Sequence, residues 1–252
     1  MLLSAGLHVL PISAPVAGHT QTIYVTAVSE GEEFALVDAG FPGQGKLIID
    51  ALHNKGLDIE RLSALILTHQ DVDHIGSATA LCDALPGKVV VYAHENEVPY
   101  ITGRLRTLKL TDGAIENALR SLPPGLPDER RRALEHVLRN PPKVAVDVAI
   151  SAERALPLPG NPQVVFTAGH TPGHVSLYFE QWSTLVAGDC LQADNGSLLL
   201  PDRNLCSDYA QAIESVRKLA SYELRAVVCY HGGVVRGDIG MELRNLLDAV
   251  AD

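Results

Sequence analysis

Residues 68–74 read Thr-His-Gln-Asp-Val-Asp-His, so His69, Asp71, Asp73 and His74 place four metal-ligating side chains within six positions. They follow the apolar run Ala64–Leu67 directly. One histidine at the end of a buried strand can be satisfied by the core. Two histidines and two aspartates crowded together need a common cation or bulk water. Imidazole nitrogen and carboxylate oxygen are donors that divalent zinc, iron and manganese accept, and such ions polarise bound oxygens and activate water.

The same arrangement recurs along the chain. Gly169-His170-Thr171-Pro172-Gly173-His174 follows an apolar run, Ala187-Gly188-Asp189 ends another, and Tyr230-His231-Gly232-Gly233 ends a third. Asp38 follows Phe34–Val37 in the same way. Ligand types placed repeatedly at strand ends should converge on one edge of a sheet core, where sites in layered α/β proteins tend to lie. Glycines beside them let the backbone turn tightly there.

The order Asp38, HxDxDH, GHTPGH, Gly-Asp and HGG resembles the metallo-β-lactamase superfamily, with motifs spaced over residues 38–233. The resemblance implies an α/β fold: an αββα sandwich of two mixed sheets flanked by helices, with two divalent metal ions at one edge. Carried over position by position, His69, Asp71 and His170 would hold the first ion, and Asp73, His74 and His231 the second. Asp189 matches the bridging carboxylate, and Asp38 a residue that supports the ligands from behind. Asp71 stands where the family pattern has histidine. Three carboxylates make each ion a weaker Lewis acid, so zinc, the family's usual metal, is joined by iron and manganese as expected occupants.

The activity implied is metal-dependent hydrolysis, in which a metal-bridging hydroxide attacks an ester, thioester or lactone carbonyl of a small molecule, with Asp73 as catalytic proton shuttle. A small-molecule phosphodiesterase is an alternative. If Asp71 does not ligate, His69, His170 and Asp189 form the 2-His-1-carboxylate set of a mononuclear iron dioxygenase acting on persulfides. A metal-free or metal-stabilised binding protein is the third reading.

The elements that must position these residues follow from patterning. Ile23–Val28 and Phe34–Val37 read as a hairpin, Lys46–Leu52 as a helix and Ala64–Leu67 as a buried strand. Further strands are expected at Val89–Tyr92, Val144–Val146, Val164–Thr167, Val175–Phe179, Thr184–Ala187 and Ala226–Tyr230, and helices at Ile75–Leu85, Ser207–Leu219 and Ile239–Val250. The first 18 residues are mildly apolar but lack a positively charged start and are broken early by Pro11 and Pro15, so no targeting segment is expected there. Residues 95–143 read as a helical insertion or lid within one domain spanning 1–252, with Asp128 as an N-cap and residues 99–104 as its hinge.

The chain has 252 residues, 46% of them hydrophobic and 20% charged, enough to bury a core without disulfides. A net charge of −10, with no basic run longer than Arg130–Arg132, disfavours nucleic acid as a partner. No apolar run approaches membrane-spanning length, and four scattered cysteines without a CxxC pair suit a reducing compartment, so a cytoplasmic location is expected. A homodimer is expected on general frequency. His174 reads as structural, His94 as an exposed loop residue, and His53 and His136 as solvent-facing. Cys190 reads as a small buried residue rather than a nucleophile. Tyr230 and Tyr178 read as packing or as hydroxyl donors.

Overall fold

The computed structural model describes residues 2–85 and 87–250, so Met1, Pro86, Ala251 and Asp252 of the expected 1–252 domain lie outside the described residues. The first half runs β1 (Leu2–Ser4), β2 (Leu7–Val16), β3 (His19–Glu30), β4 (Glu33–Val37), α1 (Gly45–His53), β5 (Leu62–Leu67), α2 (Val72–Ile75), α3 (Ala78–Ala84), β6 (Val90–His94), α4 (Val98–Ile101), α5 (Asp112–Arg120), α6 (Asp128–Arg139) and β7 (Val148–Ile150). The second half runs β8 (Gln163–Phe166), β9 (Val175–Phe179), β10 (Thr184–Gly188), β11 (Gln192–Asp194), β12 (Ser197–Leu199), α7 (Tyr209–Leu219), β13 (Ala226–Cys229), β14 (Gly233–Arg236) and α8 (Ile239–Asp248).

Strands β1 to β7 form one sheet in sequential order, antiparallel up to β4 and parallel from β4 to β7. A second sheet has the order β14-β13-β10-β9-β8, parallel only between β10 and β13. Strand β5 explains why its sequence is a continuous apolar run. Ile66 faces the second sheet while Leu65 and Leu67 face the helices, so both faces are buried.

Three buried clusters define the layers. Val28, Val37 and Ile66 of the first sheet meet Val164, Leu177 and Val186 of the second between the sheets. Ile48, Leu52 and Leu81 cover the outer face of the first sheet from α1 and α3. Val216, Leu219, Leu243 and Leu247 cover the second from α7 and α8. The fold is thus the αββα sandwich expected, because the central strands β5, β9 and β10 are buried on both sides while the covering helices bury one stripe.

Several local expectations are corrected. The N-terminal segment, to which patterning assigned no strand, forms β2, which pairs with β3 along its full length and is closed by Ala17 and Gly18, both in the left-handed region. β1 pairs only with Leu7 and His8, so beyond His8 β2 is an edge strand, where proline is tolerated, and Pro11 and Pro15 share one parity, so both missing N–H groups fall on the same side of it. Residues 144–146 are irregular, and the strand pairing with β6 comes later, as β7. The helix expected over Ile75–Leu85 is present as α3 but begins later, at Ala78, because Ile75 closes the preceding short helix α2. Pro127, not Asp128, takes the N-cap position of α6. Residues 99–104 include most of α4, held by the Val144 N–H donating to the Ile101 carbonyl at 3.1 Å. Among the described residues, no helix is long and apolar enough to cross a membrane.

Candidate metal centre

Every motif residue lies just past the C-terminal end of a strand. Asp38 follows β4, His69–His74 follow β5, His170 follows β8, Asp189 follows β10, and His231 follows β13. The two sheets bring these ends to one edge, where an isolated bridge between Ile23 and His231 joins β3 to the loop after β13. The cleft at this edge has a volume of about 540 Å³ and includes Asp71, Asp73, His170, Asp189 and His231 in its wall.

Two groups of donors result. The ligating atoms of His69, Asp71, His170 and Asp189 lie within 4.8 Å of one another, as do those of Asp73, His74 and His231. Asp189 touches both groups. Its Oδ2 is 3.3 Å from His170 Nε2 and 3.6 Å from His231 Nε2, while its Oδ1 is 3.3 Å from His74 Nε2. Asp71 Oδ2 is 3.3 Å from His69 Nε2 and 3.1 Å from His170 Nε2. Asp73 Oδ2 is 3.2 Å from His231 Nε2. All seven residues expected as ligands are brought together.

The donor set fits divalent ions. His69 Nε2, His74 Nε2 and Asp189 Oδ1 are buried side-chain atoms without a hydrogen-bond partner, and each faces another candidate ligand, His69 Nε2 toward Asp71 and His74 Nε2 toward Asp189 Oδ1. A buried polar atom with no partner costs about 1–3 kcal/mol, and an ion bound there would supply one. Tautomers are set from behind. His74 Nδ1 lies 2.8 Å from Asp38 Oδ2, and His69 Nδ1 lies 3.0 Å from Thr68 Oγ1. With the Nδ1 proton of His74 given to Asp38, its Nε2 lone pair is free for the cleft. Asp38 is buried, adopts φ 62° and accepts from the Thr68 N–H at 2.8 Å, so a strained backbone is held by the contacts it serves.

Asp189 is aimed by its backbone. A register shift occurs at Gly188, whose φ is 56°. A Cβ at that position would lie 2.6 Å from His174 Nε2, so only glycine allows the approach. His174 Nε2 accepts from the Asp189 N–H at 2.9 Å, and its Nδ1 lies 2.8 Å from Thr167 Oγ1. His174 is therefore structural, as expected. Cys190 is buried, which pushes its thiol up to about 12 and makes it a poor nucleophile. The Tyr230 hydroxyl donates to the Asp73 carbonyl at 2.5 Å, and its ring lies on His74 with centroids 3.9 Å apart. Tyr178 donates to the Glu223 carbonyl at 3.1 Å and serves packing. His53 and His136 are exposed. His94, expected in an exposed loop, is instead buried at the end of β6 against Phe166.

Two charged residues were not singled out from sequence. Lys109 enters from the segment between α4 and α5, donates to Asp71 Oδ2 at 2.5 Å and lies 2.6 Å from His170 Nε2. Glu97, fully buried, accepts from the Gln70 N–H at 3.0 Å, Gln70 Nε2 at 2.9 Å and the Gly173 N–H at 2.7 Å. Gln70 Oε1 in turn accepts from the Leu108 N–H at 2.8 Å, which fixes the backbone beside Lys109. Neither residue lies in a motif. The one trace in sequence is that Lys109 is a charge between Leu108 and Leu110, whereas Glu97, following Glu95 and Asn96, carries no such signal.

Electrostatics in the metal-free protein follow from burial. Burial pushes His69 down to about 4, helped by the neighbouring His74. Burial would lower His74 too, but Asp189, Asp38 and Asp73 outweigh it and hold that imidazole well above its usual range. Burial would raise Asp71, yet His69, His170 and Lys109 hold it well below the carboxylate range. His174 is driven down by burial and by His69.

These shifts make a signed prediction for chelator-treated protein. A depressed histidine binds its proton in the unfolded chain first, so stability is present above about pH 6.5 and is lost as pH falls toward the folded-state value. His74 has the opposite shift, and its contribution is already complete below about pH 6.5, so it adds no slope there. The aspartates act only lower, near and below the ordinary carboxylate range. Each pH unit between about 6.5 and 4 should therefore remove about 1.4 kcal/mol through His69 alone. Two units should lower Tm by roughly 6–10 °C, with His174 adding in the same sense. Calorimetry of wild type and His69→Gln between pH 7 and 4.5 checks this. Equal slopes in the two proteins would contradict the assignment to His69.

Comparison with known proteins agrees with this geometry. The family model described as "Metallo-beta-lactamase superfamily" matches residues 18–231. The "Probable metallo-hydrolase YflN" of Bacillus subtilis is 30% identical over 226 residues, covering 83% of this chain and 79% of that protein. A hydroxyacylglutathione hydrolase of Gloeobacter violaceus is 28% identical over 171 residues, which are 68% of this chain and 49% of that protein. Among solved structures, the metallo-beta-lactamase family protein TTHA1429 of Thermus thermophilus has a TM-score of 0.70 at 22% identity, covering 99% of this chain and 80% of that one. At that identity the likeness concerns the fold.

Proposed function

Because the chain belongs to the metallo-beta-lactamase superfamily, we propose that it is a hydrolase working with two divalent metal ions on an ester, thioester or lactone of a small molecule. His69, Asp71, His170 and Asp189 would hold one ion, and Asp73, His74, His231 and Asp189 the other. The observation that carries this reading is the placement of Asp189, whose two oxygens each stand 3.3 Å from a histidine of a different group. Ions bound there polarise a carbonyl oxygen and make water nucleophilic at neutral pH.

The chain's own residues supply the rest. Asp73, in the cleft wall beside His231, is placed to accept a proton and return it to the leaving group. Lys109 brings a cation to the mouth of the site and is placed to hold an anionic oxygen of the substrate. The insertion over 95–143 acts as a lid through the Glu97–Gln70–Leu108 link. The acyl substrate class is favoured by the relative named hydroxyacylglutathione hydrolase and by the net charge of −10, which suits neither a polyanion nor its fragments.

The Lys109–Asp71 contact favours one second reading. If Lys109 retains Asp71, then His69, His170 and Asp189 would form a 2-His-1-carboxylate site for a single iron. The test is the number and identity of metal equivalents in protein purified without a histidine tag, followed by an ester, thioester and lactone panel. About two zinc or manganese equivalents with ester turnover support the hydrolase. About one iron, oxygen uptake with persulfides and no ester turnover would replace it.

A further inference from the structure

Beside the metal cleft lies a second cavity of about 470 Å³, set between the tip of the β2–β3 hairpin, the loop after β4 and helix α6. Its wall includes Val16, Phe41, Val72, Leu134, Val137 and Leu138. Arg130, exposed at its rim, is the one ionisable group among the described residues that surround it. The volume falls within the range of small-molecule sites, which are mostly apolar with a few polar groups at the edge.

Two observations tie this chamber to the chemistry. Val72 lies between Asp71 and Asp73, so the backbone that aims two carboxylates into the cleft presents the intervening residue to the chamber. The hairpin is shared in the same way. Pro15 to Gly18 border the chamber, while Gln21 and Thr22, paired with Ala14 and Ser13, border the cleft. The two cavities therefore have a common wall, one side apolar and the other lined by candidate ligands.

Helix α6 supplies the second argument. It is amphipathic, with Leu134, Val137 and Leu138 at helical spacing, yet none of its residues is buried. An amphipathic helix of 12 residues is marginal alone and normally gains its stability by burying that stripe. Here the stripe roofs the chamber instead of entering a packed core.

We propose that this chamber is the binding site for the apolar chain of the substrate: the protein acts on esters, thioesters or lactones bearing a medium or long unbranched acyl chain. The chain lies beneath α6 and the carbonyl reaches the cleft past Val72. This rests on the hydrolase reading above and names its substrate class. A fully polar substrate would leave the chamber's wall in contact with water and gain nothing from it.

The test separates binding from turnover. In the protein as purified, N-phenyl-1-naphthylamine fluorescence reports occupancy of an apolar site, and decanoate but not acetate should displace it. Val137→Trp, at a half-exposed position outside the core, should fill the chamber and abolish both signals. Across acetyl, butanoyl and octanoyl p-nitrophenyl esters, kcat/KM should rise by roughly 3- to 4-fold per methylene, the factor set by ~0.8 kcal/mol per buried CH₂. In Val137→Trp the octanoyl-to-acetyl ratio should collapse toward one. Decanoate displacement from wild type without hydrolysis of any ester would sink the hydrolase reading and leave the apolar site standing. A flat chain-length profile, or equal displacement from both proteins, overturns the proposal. So does a wild-type dimer that Val137→Trp dissociates, since that assigns the stripe to a second copy.

Discussion

Asp189→Ala is expected to reduce kcat/KM for ester hydrolysis by more than the roughly 100-fold that loss of an outer partner costs a metal site. Retained metal should fall from about two equivalents to one or fewer. The reason is geometric. Asp189 faces His170 and His231 with one oxygen and His74 with the other, so its loss weakens both groups at once. The fold should survive, because the side chain faces the cleft while its backbone N–H remains bonded to His174. Asp189→Asn keeps the shape and removes the charge, so it should resemble Asp189→Ala in metal content and wild type in circular dichroism. Full activity with two equivalents in either variant would remove the basis of the two-ion reading.

Glu97→Ala carries the second large effect, on stability and on the position of the segment bearing Lys109 together. The substitution leaves the Gln70 N–H, Gln70 Nε2 and the Gly173 N–H without their acceptor in a fully buried setting. At about 1–3 kcal/mol for each unsatisfied donor, and with some recovery through water, a loss of about 3–5 kcal/mol is expected. That corresponds to a Tm lowered by roughly 10 °C in a chain of this size. Glu97 also joins the loop after β5 to the loop carrying His170, and Gln70 extends the link to Leu108 beside Lys109. KM should therefore rise even at temperatures where the variant is folded. Glu97→Gln retains the volume and one acceptor, so it should fall between the two. A Tm for Glu97→Ala within about 1 °C of wild type would show that the strut is dispensable.

The ligand positions were legible for a chemical reason. A histidine or aspartate directly after an apolar run is expensive unless something binds it, and five such places in one chain constrain each other. The elements bearing them were legible as well, since β5 and β10 are buried on both faces and announce themselves as unbroken apolar runs. The β2–β3 hairpin was hidden because Pro11 and Pro15 read locally as breakers. They are tolerated because β2 is an edge strand beyond His8, which is a property of the sheet and not of the segment. The strand expected at 144–146 failed for the reverse reason. Its alternation is adequate, but pairing with β6 selects Val148–Ile150 in register with Tyr92–His94.

By itself the sequence determined which residue types stand at which strand ends, and with them the family, the layered fold and a donor set suited to divalent ions. Those features rest on local chemistry: periodicity, apolar runs and the cost of leaving a polar group buried without a partner. Only the tertiary structure decided that Glu97 braces the loops after β5 and β8, that Lys109 meets Asp71, and that α6 roofs an apolar chamber beside the cleft. Each of these joins residues far apart in the chain. No local pattern encodes such a contact, because it forms only when two sheets and an insertion have packed and the intervening chain has paid its loop-closure entropy.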